Sequence, residues 1–582
     1  MQPKIYFQRR RRKKTNWRIM ESKVIKFDDF ANKYRKLIEK RLMEEDYKGA
    51  LGFLFSALKN EPENFRLYAE IAEVYTEMEL FELSIKYWFL FLDKAPKEEY
   101  PRAYEDLAIN YFYVNNLWAS SYYFNLKLKE DGFVSKERFG EEMTEFFFHT
   151  LDKKSMYHVA YPFDQADFSI REKLGKKALS AGDYKMAKSI YASIPTECRS
   201  LEADGEYAIA SHLTNDDEET IKIAKESLKK HGDNVTAFCS LSTVYKAKDN
   251  LEKSKYYYEK ALQSRKGDNH EAYQIATCAI DLGDHITANE CLKTILEDRP
   301  FDNVMGLFYA ISFINIGNYE KALLELESVY KLDPTDEVLK FYLDYVKNLL
   351  SKGDDGKLLP LEYVKGFPKK VENKYSKEIE ELLEQSDFFS KKTKRKSVYE
   401  LLNWGIKYGD DKTAKKCVYA ITLAGASKQI KKLKDSLLDP EISIETKGGI
   451  LYALIINLTT RRFGVVVGEV YENVKLRKLA FENTPSETRF LPAYALAMSR
   501  IILSGVSDYD KIGVSASRLY KKHAEEIEKN DLDIDELASM IVIKCNYKIF
   551  KSFNDVYKVF GVAKNRIEII ENILRGSPDE NN

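Results

Sequence analysis

The feature that most constrains this chain is a period. With Pro334 as phase marker, units begin at Leu201, Val235, Asn269 and Asn303, 34 positions apart and without insertion. The eighth residue of each is small: Ala208, Ser242, Ala276, Ala310. The twentieth and twenty-seventh are small or modest, as in Ser254 and Ala261, Ala288 and Ile295, Ala322 and Val329, or Ser227 of the first unit. Bulky residues recur at the eleventh or twenty-fourth, such as Tyr245, Tyr258 and Phe313. Small side chains are needed where two helix axes cross closely, and large ones fill the space between crossings. Pro300 and Pro334 close two of the units, because proline cannot continue a helix. The stretch "IGNYEKALLELESVYKLDPTD" (Ile316 to Asp336) is thus half a unit: a turn, a second helix and its terminating proline.

The N-terminal part repeats the pattern. Pro62 phases Ala50 and Ala57, and Pro96 phases Ala72, Tyr75 and Ser84. Looser units follow from Pro101, with Ala108, Tyr111 and Phe124, and around Gly175, Ala178, Ala187 and Tyr191. This set resembles the tetratricopeptide repeat (TPR) family, whose unit of about 34 residues is a pair of antiparallel helices, A and B. The resemblance implies a TPR-type α-solenoid; after it the 34-residue period is lost, so the expected fold is all-α, the solenoid followed by an irregular helical C-terminal region, HEAT-like or bundle.

The expected layout runs in seven parts. Residues 1–25 are expected to form a basic, disordered leader around Arg9 to Lys14, a run whose alternative reading is a nuclear-import or nucleic-acid arm. Met20 opens the helical patterning, so the first 19 residues also read as sequence ahead of the natural start. Residues 26–132 hold N-terminal TPR units, 133–167 a divergent connector, and 168–352 a second array with a capping helix. A Gly- and Pro-broken linker spans 353–372. A HEAT-like helical region covers 373–485, and a C-terminal helical domain 486–577.

Composition narrows the function. Lys+Arg and Asp+Glu are both 92, which excludes a chain that coats nucleic acid or a membrane surface along its length. No apolar run approaches the ~20 residues that span a bilayer, so no membrane partner is expected. Six scattered cysteines without a C-x-x-C pair fit packed, reduced thiols and a cytoplasmic protein, with no metal site. No phosphate loop, zinc-protease or nucleophile-elbow motif occurs, and the seven His lack Cys or Ser partners. The expectation is therefore a non-enzyme with no catalytic residue and no cofactor.

What the TPR resemblance implies about binding lies on the A helices, whose repeat positions 2, 5, 6, 9, 12 and 13 line a groove. The family's chaperone-tail clamp places Lys, Arg and Asn at positions that here hold Arg35, Glu39, Glu70, Arg102 and Asp106. Three of those five are acidic, so a C-terminal carboxylate would be repelled. Arg66 and Glu73 add mixed charge, which suits a mixed-charge or basic peptide. In the second array the same positions hold Tyr273, Thr277, Ile280, Leu307, Ile311 and Ile314. That stretch either accepts an amphipathic helix or is buried against another part of the chain.

Near the C-terminus, "YKVFGVAKNRIEIIENIL" resembles a helix-turn-helix, and with "DIDELASMIVIKC" the end of a cyclin-type fold. Gly561 would make the turn, and Lys564, Asn565 and Arg566 would open a recognition helix. Tyr557 stands where such motifs carry a small residue, so a plain helical hairpin is the competing interpretation. The leading expectation is a TPR scaffold or adaptor for a protein or peptide. The alternative is a TPR regulator whose C-terminal helices bind nucleic acid.

Overall fold

The computed structural model describes residues 29–131, 168–180, 182–267, 269–352, 360–384, 396–424, 427–457, 462–475, 485–504, 509–546 and 552–575. The leader at 1–25 and the connector at 133–167 lie outside the described residues. The chain divides into two compact units, Met1–Pro62 and Glu63–Asn582.

Local chemistry builds the first unit as one helix pair, α1 (Asp29–Met43) and α2 (Tyr47–Asn60). Glu45 turns the chain at φ 56°, and Asp46 caps α2 by accepting from the Gly49 amide at 2.9 Å. Ala50, Leu51 and Leu54 are fully buried.

The second unit repeats that device. Its helix pairs are α3 (Phe65–Glu77) with α4 (Phe81–Lys94), α5 (Tyr100–Tyr113) with α6 (Leu117–Asp131), and α7 (Ser169–Ser180) with α8 (Tyr184–Ala192). Four further pairs follow: α9 (Leu201–Leu213) with α10 (Asp217–His231), α11 (Val235–Ala247) with α12 (Leu251–Gln263), α13 (Asn269–Leu282) with α14 (His285–Asp298), and α15 (Asn303–Ile316) with α16 (Tyr319–Tyr330). These A helices start at Leu201, Val235, Asn269 and Asn303, the four unit starts expected from the period. Each A helix packs on its own B helix, and α9 packs on α11 and α11 on α13, as a stacked solenoid requires.

One turn serves all eight pairs. Glu45, Glu79, Asn115, Gly182, Asn215, Asp249, Gly283 and Gly317 have φ between 54° and 86°. The following amide bonds back five residues, as from Asn250 to Tyr245 O at 2.8 Å and from Asn318 to Phe313 O at 2.9 Å, which satisfies the last helical carbonyls. That same residue then caps helix B with its side chain: Asp46, Asn116, Asp183, Asp216, Asn250, Asp284 and Asn318 each accept the amide three positions on. Leu80 is the exception and has no side-chain cap bond.

The small crossing positions are buried: Ala276, Ala288, Ala310 and Ala322 on apolar contacts. Where the crossing residue carries a hydroxyl, it is satisfied across the helix pair. Ser120 donates to Ala108 O at 2.6 Å, Thr220 to Ala208 O at 3.3 Å, and Ser242 and Ser254 donate to each other's carbonyls at 3.0 and 2.9 Å. At Gly175 any Cβ would meet the Tyr191 ring at 2.5 Å, so this crossing tolerates no side chain at all.

Helix α17 (Glu337–Lys352) closes the array. Among the described residues, eight helices of the C-terminal region then lose the 34-residue spacing: α18 (Lys369–Glu384), α19 (Lys396–Tyr408), α20 (Asp411–Ala424), α21 (Ser427–Leu438), α22 (Ile444–Asn457), α23 (Pro485–Leu503), α24 (Tyr509–Lys529) and α25 (Ile534–Asn546). Two more end the described chain, α26 (Phe553–Val559) and α27 (Lys564–Arg575).

The stretch expected to be helical throughout also contains an antiparallel ribbon, β1 (Arg462–Val467) and β2 (Val470–Lys475), in the register Arg462 to Lys475 and Val467 to Val470. A β-branched run interrupted by Gly468, at φ 59° in a two-residue loop, favours a hairpin over a helix. A lone ribbon is marginal in water. This one packs on α4 and α21, and side chains cover its open edges. Gly464 N–H donates to Asp93 Oδ1 at 2.8 Å, Lys447 Nζ donates to Val466 O at 2.7 Å, and Tyr471 N–H donates to Tyr123 Oη at 3.1 Å. Tyr75 likewise donates to Leu332 O at 2.6 Å, returning the end of the second array to α3.

Candidate interaction surfaces

The expected groove residues fall into separate groups. In the first compact unit, Arg35 and Glu39 stand one turn apart on α1, 3.5 Å from each other, Arg35 exposed and Glu39 half-buried. In the second, Arg66 is half-buried with its guanidinium 5.8 Å from the Phe65 ring centre. Arg102 of α5 and Glu73 of α3 are joined by two bonds to one carboxylate oxygen, at 2.7 and 3.2 Å. Burial works against the Arg102 charge, but Glu73, Asp106 and Glu70 outweigh it and hold its pKa above the ordinary value. Asp106 is buried. Arg102 is therefore committed inside the array.

The A helices of the second array differ. Tyr273 and Thr277 are exposed on α13. On α9, Ile209 and Leu213 are exposed too, at repeat positions 9 and 13. Thr236 of α11 donates to Gln274 of α13 at 3.0 Å, linking successive A helices along this face. Leu307, Ile311 and Ile314 of α15 are buried.

At that end of the array the extended segment after α17 lies against α15. Asn315 Nδ2 donates to Leu361 O at 2.9 Å, and Leu361 N–H donates to Asn315 Oδ1 at 2.7 Å. Two positions on, the Tyr363 ring stacks on His285 at 5.8 Å and meets Phe308 edge-on at 6.0 Å. Its hydroxyl lies 3.1 Å from His285 Nδ1. Burial lowers the His285 pKa, partly opposed by Asp284, and burial raises that of Tyr363 to about 12. None of Asn315, Tyr363, His285 and Phe308 was among the expected site residues. The signal was present for two: Phe308 and Asn315 occupy groove positions 6 and 13 of their repeat.

A cleft of about 1150 Å³ opens where α4, α21 and β1 meet. Lys431 pairs with Glu63, and Lys94 lies 3.7 Å from the same carboxylate. Burial pushes the Asp435 carboxyl up and the Lys434 ammonium down. Its lining mixes both charges with Phe65, Tyr100 and Phe463, so it carries no net preference for a charged ligand.

At the C-terminus, α26 and α27 meet at Gly561, φ 66°. Lys564 and Asn565 are exposed at the start of α27. Arg566 turns inward: Nε is 2.5 Å from Glu536 Oε1 on α25, and Nη2 reaches Glu536 Oε2 at 2.8 Å and Asn530 O at 2.9 Å. The sequence "IGVSASRL" (Ile512 to Leu519) carries the same Gly-Val pair as Gly561-Val562 but is helical within α24, which kinks further on at His523, so one pattern serves a turn once and a helix once.

Among the described residues no helix is long and apolar enough to cross a membrane. A sequence profile of the tetratricopeptide repeat family matches residues 235–268, the unit that starts at Val235. No curated protein matches the chain. Among solved structures, a thermophilic TPR protein of Thermus thermophilus, TTC0263, aligns at 17% identity over 31% of this chain and 100% of its own, with a TM-score of 0.26. YrrB, described as a TPR protein with an unusual peptide-binding site, aligns at 16% identity over 32% and 94%, TM-score 0.23. The TPR domain of P58(IPK) aligns at 15% identity over 56% and 99%, TM-score 0.23. With one unit matched at 235–268 and its neighbours built on the same turn, cap and crossing residues, the chain carries tetratricopeptide repeats within an all-α solenoid.

Proposed function

We propose that this protein is a non-enzymatic scaffold that takes a protein or peptide partner on the A-helix face of its second array. The carrying observation is the exposure of Ile209, Leu213 and Tyr273 at 43%, 47% and 55% on helices whose other apolar residues are largely buried. Exposed apolar side chains gathered on one face of a repeat array provide contact area for a partner, with Thr277 as a polar neighbour. In the N-terminal array, Glu73 and Arg102 neutralise one another, which argues against a clamp for a terminal carboxylate.

The test is affinity capture with the full chain against two variants, Tyr273→Ala with Leu213→Ala and, separately, Glu70→Lys. A partner held by the parent chain and lost from the Tyr273/Leu213 variant supports this face. A partner insensitive to that variant but lost with Glu70→Lys moves binding to the N-terminal array, and no enrichment by any chain removes the scaffold reading.

A further inference from the structure

The segment that follows α17 is held on the array in the manner of a bound peptide. Asn315 engages both the N–H and the C=O of Leu361, a recognition that reads backbone and accepts any side chain at that position. Glu362 is exposed. Tyr363 then fills a slot made by His285 and Phe308, one residue from each of two successive repeats. The anchoring to the fold comes later. Tyr342 donates to Gly366 O at 3.3 Å, and Phe367 is buried against Phe341, Trp404 and Tyr408. Residues 360–364 are exposed or half-buried, while buried Phe367 fixes their return.

We infer that residues 360–364 are a cis-bound stand-in for a peptide ligand of this groove. The ligand class is an extended peptide with an aromatic side chain two positions after the residue whose backbone Asn315 clamps. This rests on the reading that the second array receives peptides, and it adds the chemistry of the ligand and the means of control. A tethered segment has a local concentration on the order of mM, so a segment whose own Kd is about 100 µM weakens a competing peptide roughly tenfold. A partner therefore binds by displacing the chain's own segment.

The experiment uses a fluorescein-labelled peptide of residues 360–367, titrated by anisotropy into the full chain. The comparison chain has residues 360–364 replaced by a Gly-Ser sequence of equal length. The peptide is expected to bind the replaced chain about tenfold more tightly than the parent. Asn315→Ala in the replaced chain, or alanine at the tyrosine of the peptide, is expected to remove at least that gain. Should the replacement disturb folding by circular dichroism, Tyr363→Ala in the intact segment gives the same comparison. Equal affinity for parent and replaced chains, no saturable binding to a folded replaced chain, or indifference to Asn315→Ala overturns the inference. If peptide binding fails while a Tyr273-dependent partner is still captured, only the cis-ligand is wrong; if both fail, the groove itself is wrong.

Discussion

Tyr111 donates its hydroxyl hydrogen to Glu469 Oε2 at 2.7 Å, joining positions 358 residues apart. Its ring stacks on Tyr123 at 5.8 Å with the planes 1° apart, and Tyr123 donates to Glu469 O at 2.8 Å. The tip of the ribbon is therefore seated in a tyrosine pair of α5 and α6. Burial, then the neighbouring Tyr123 and Glu469, hold the Tyr111 hydroxyl well above its ordinary pKa, so it remains a donor at any working pH.

Removing that donor should loosen the ribbon. A hydrogen bond to a charged group contributes about 1.5–3 kcal/mol, so Tyr111→Phe is expected to speed amide exchange in residues 462–475 by roughly 10–100-fold. Exchange at α11 to α16 should be unchanged. A uniform acceleration across the chain would mean that the ribbon is not a separate cooperative element.

The A-to-B turn yields a second expectation. Gly317 sits at φ 86° and Asn318 caps α16. Gly317→Ala forces a side chain into left-handed geometry at a cost of about 1–2 kcal/mol. Asn318→Ala loses the cap at about 1 kcal/mol. Both should lower the thermal midpoint, while Asn318→Asp should hold it near the parent value because Asp caps this turn in four other pairs. An unchanged midpoint in both alanine variants would show that this turn does not limit stability.

Lys447 is 2% exposed, and burial depresses its pKa from 10.5 to about 8, against the pull of Asp439 and Glu469. The unfolded chain takes up this proton first as pH falls. Lys447 therefore costs no stability above pH 10.5, becomes destabilising between 10.5 and about 8, and costs a constant amount below that. The slope contributed is at most about 1.4 kcal/mol per pH unit. The difference in unfolding free energy between parent and Lys447→Met should change across that window and be flat from about pH 6 to 7. A difference flat from about pH 7 to 11 would place an ordinary lysine there.

Arg566 separates structure from nucleic-acid contact. Burial raises the Glu536 pKa, but the Arg566 bonds outweigh it and leave the carboxyl below its ordinary range. Arg566→Ala is expected to destabilise the packing of α25 with α27 by about 1.5–3 kcal/mol. Lys564→Ala and Asn565→Ala, on exposed positions, should stay within about 0.5 kcal/mol of the parent. A gel shift lost only with Arg566→Ala would report misfolding, and one lost with Lys564→Ala in a folded chain would report a phosphate contact.

The sequence alone determined the repeat. The starts of α9, α11, α13 and α15, the buried Ala322 and the turn at Gly317 all follow from a local code, because each repeat is specified by turn, cap and crossing residues within its own 34 positions and by its immediate neighbours. The stretch from Ile316 to Asp336 carries the turn, the cap and the helix B half of that code. Tertiary structure decided what the repeats are placed against. Val465 and Val466 fall in a region expected to be helical; their β-branched run and Gly468 favour a hairpin, and packing on α4 and α21 supports that otherwise marginal ribbon. Arg566 looks like a surface contact until α25 brings Glu536 beneath it. Asn315 stood at a groove position, but only the return of the chain through Phe367 puts Leu361 within its reach. These outcomes depend on contacts between residues dozens to hundreds of positions apart, and a periodic pattern holds no information about which distant segment comes to fill a surface.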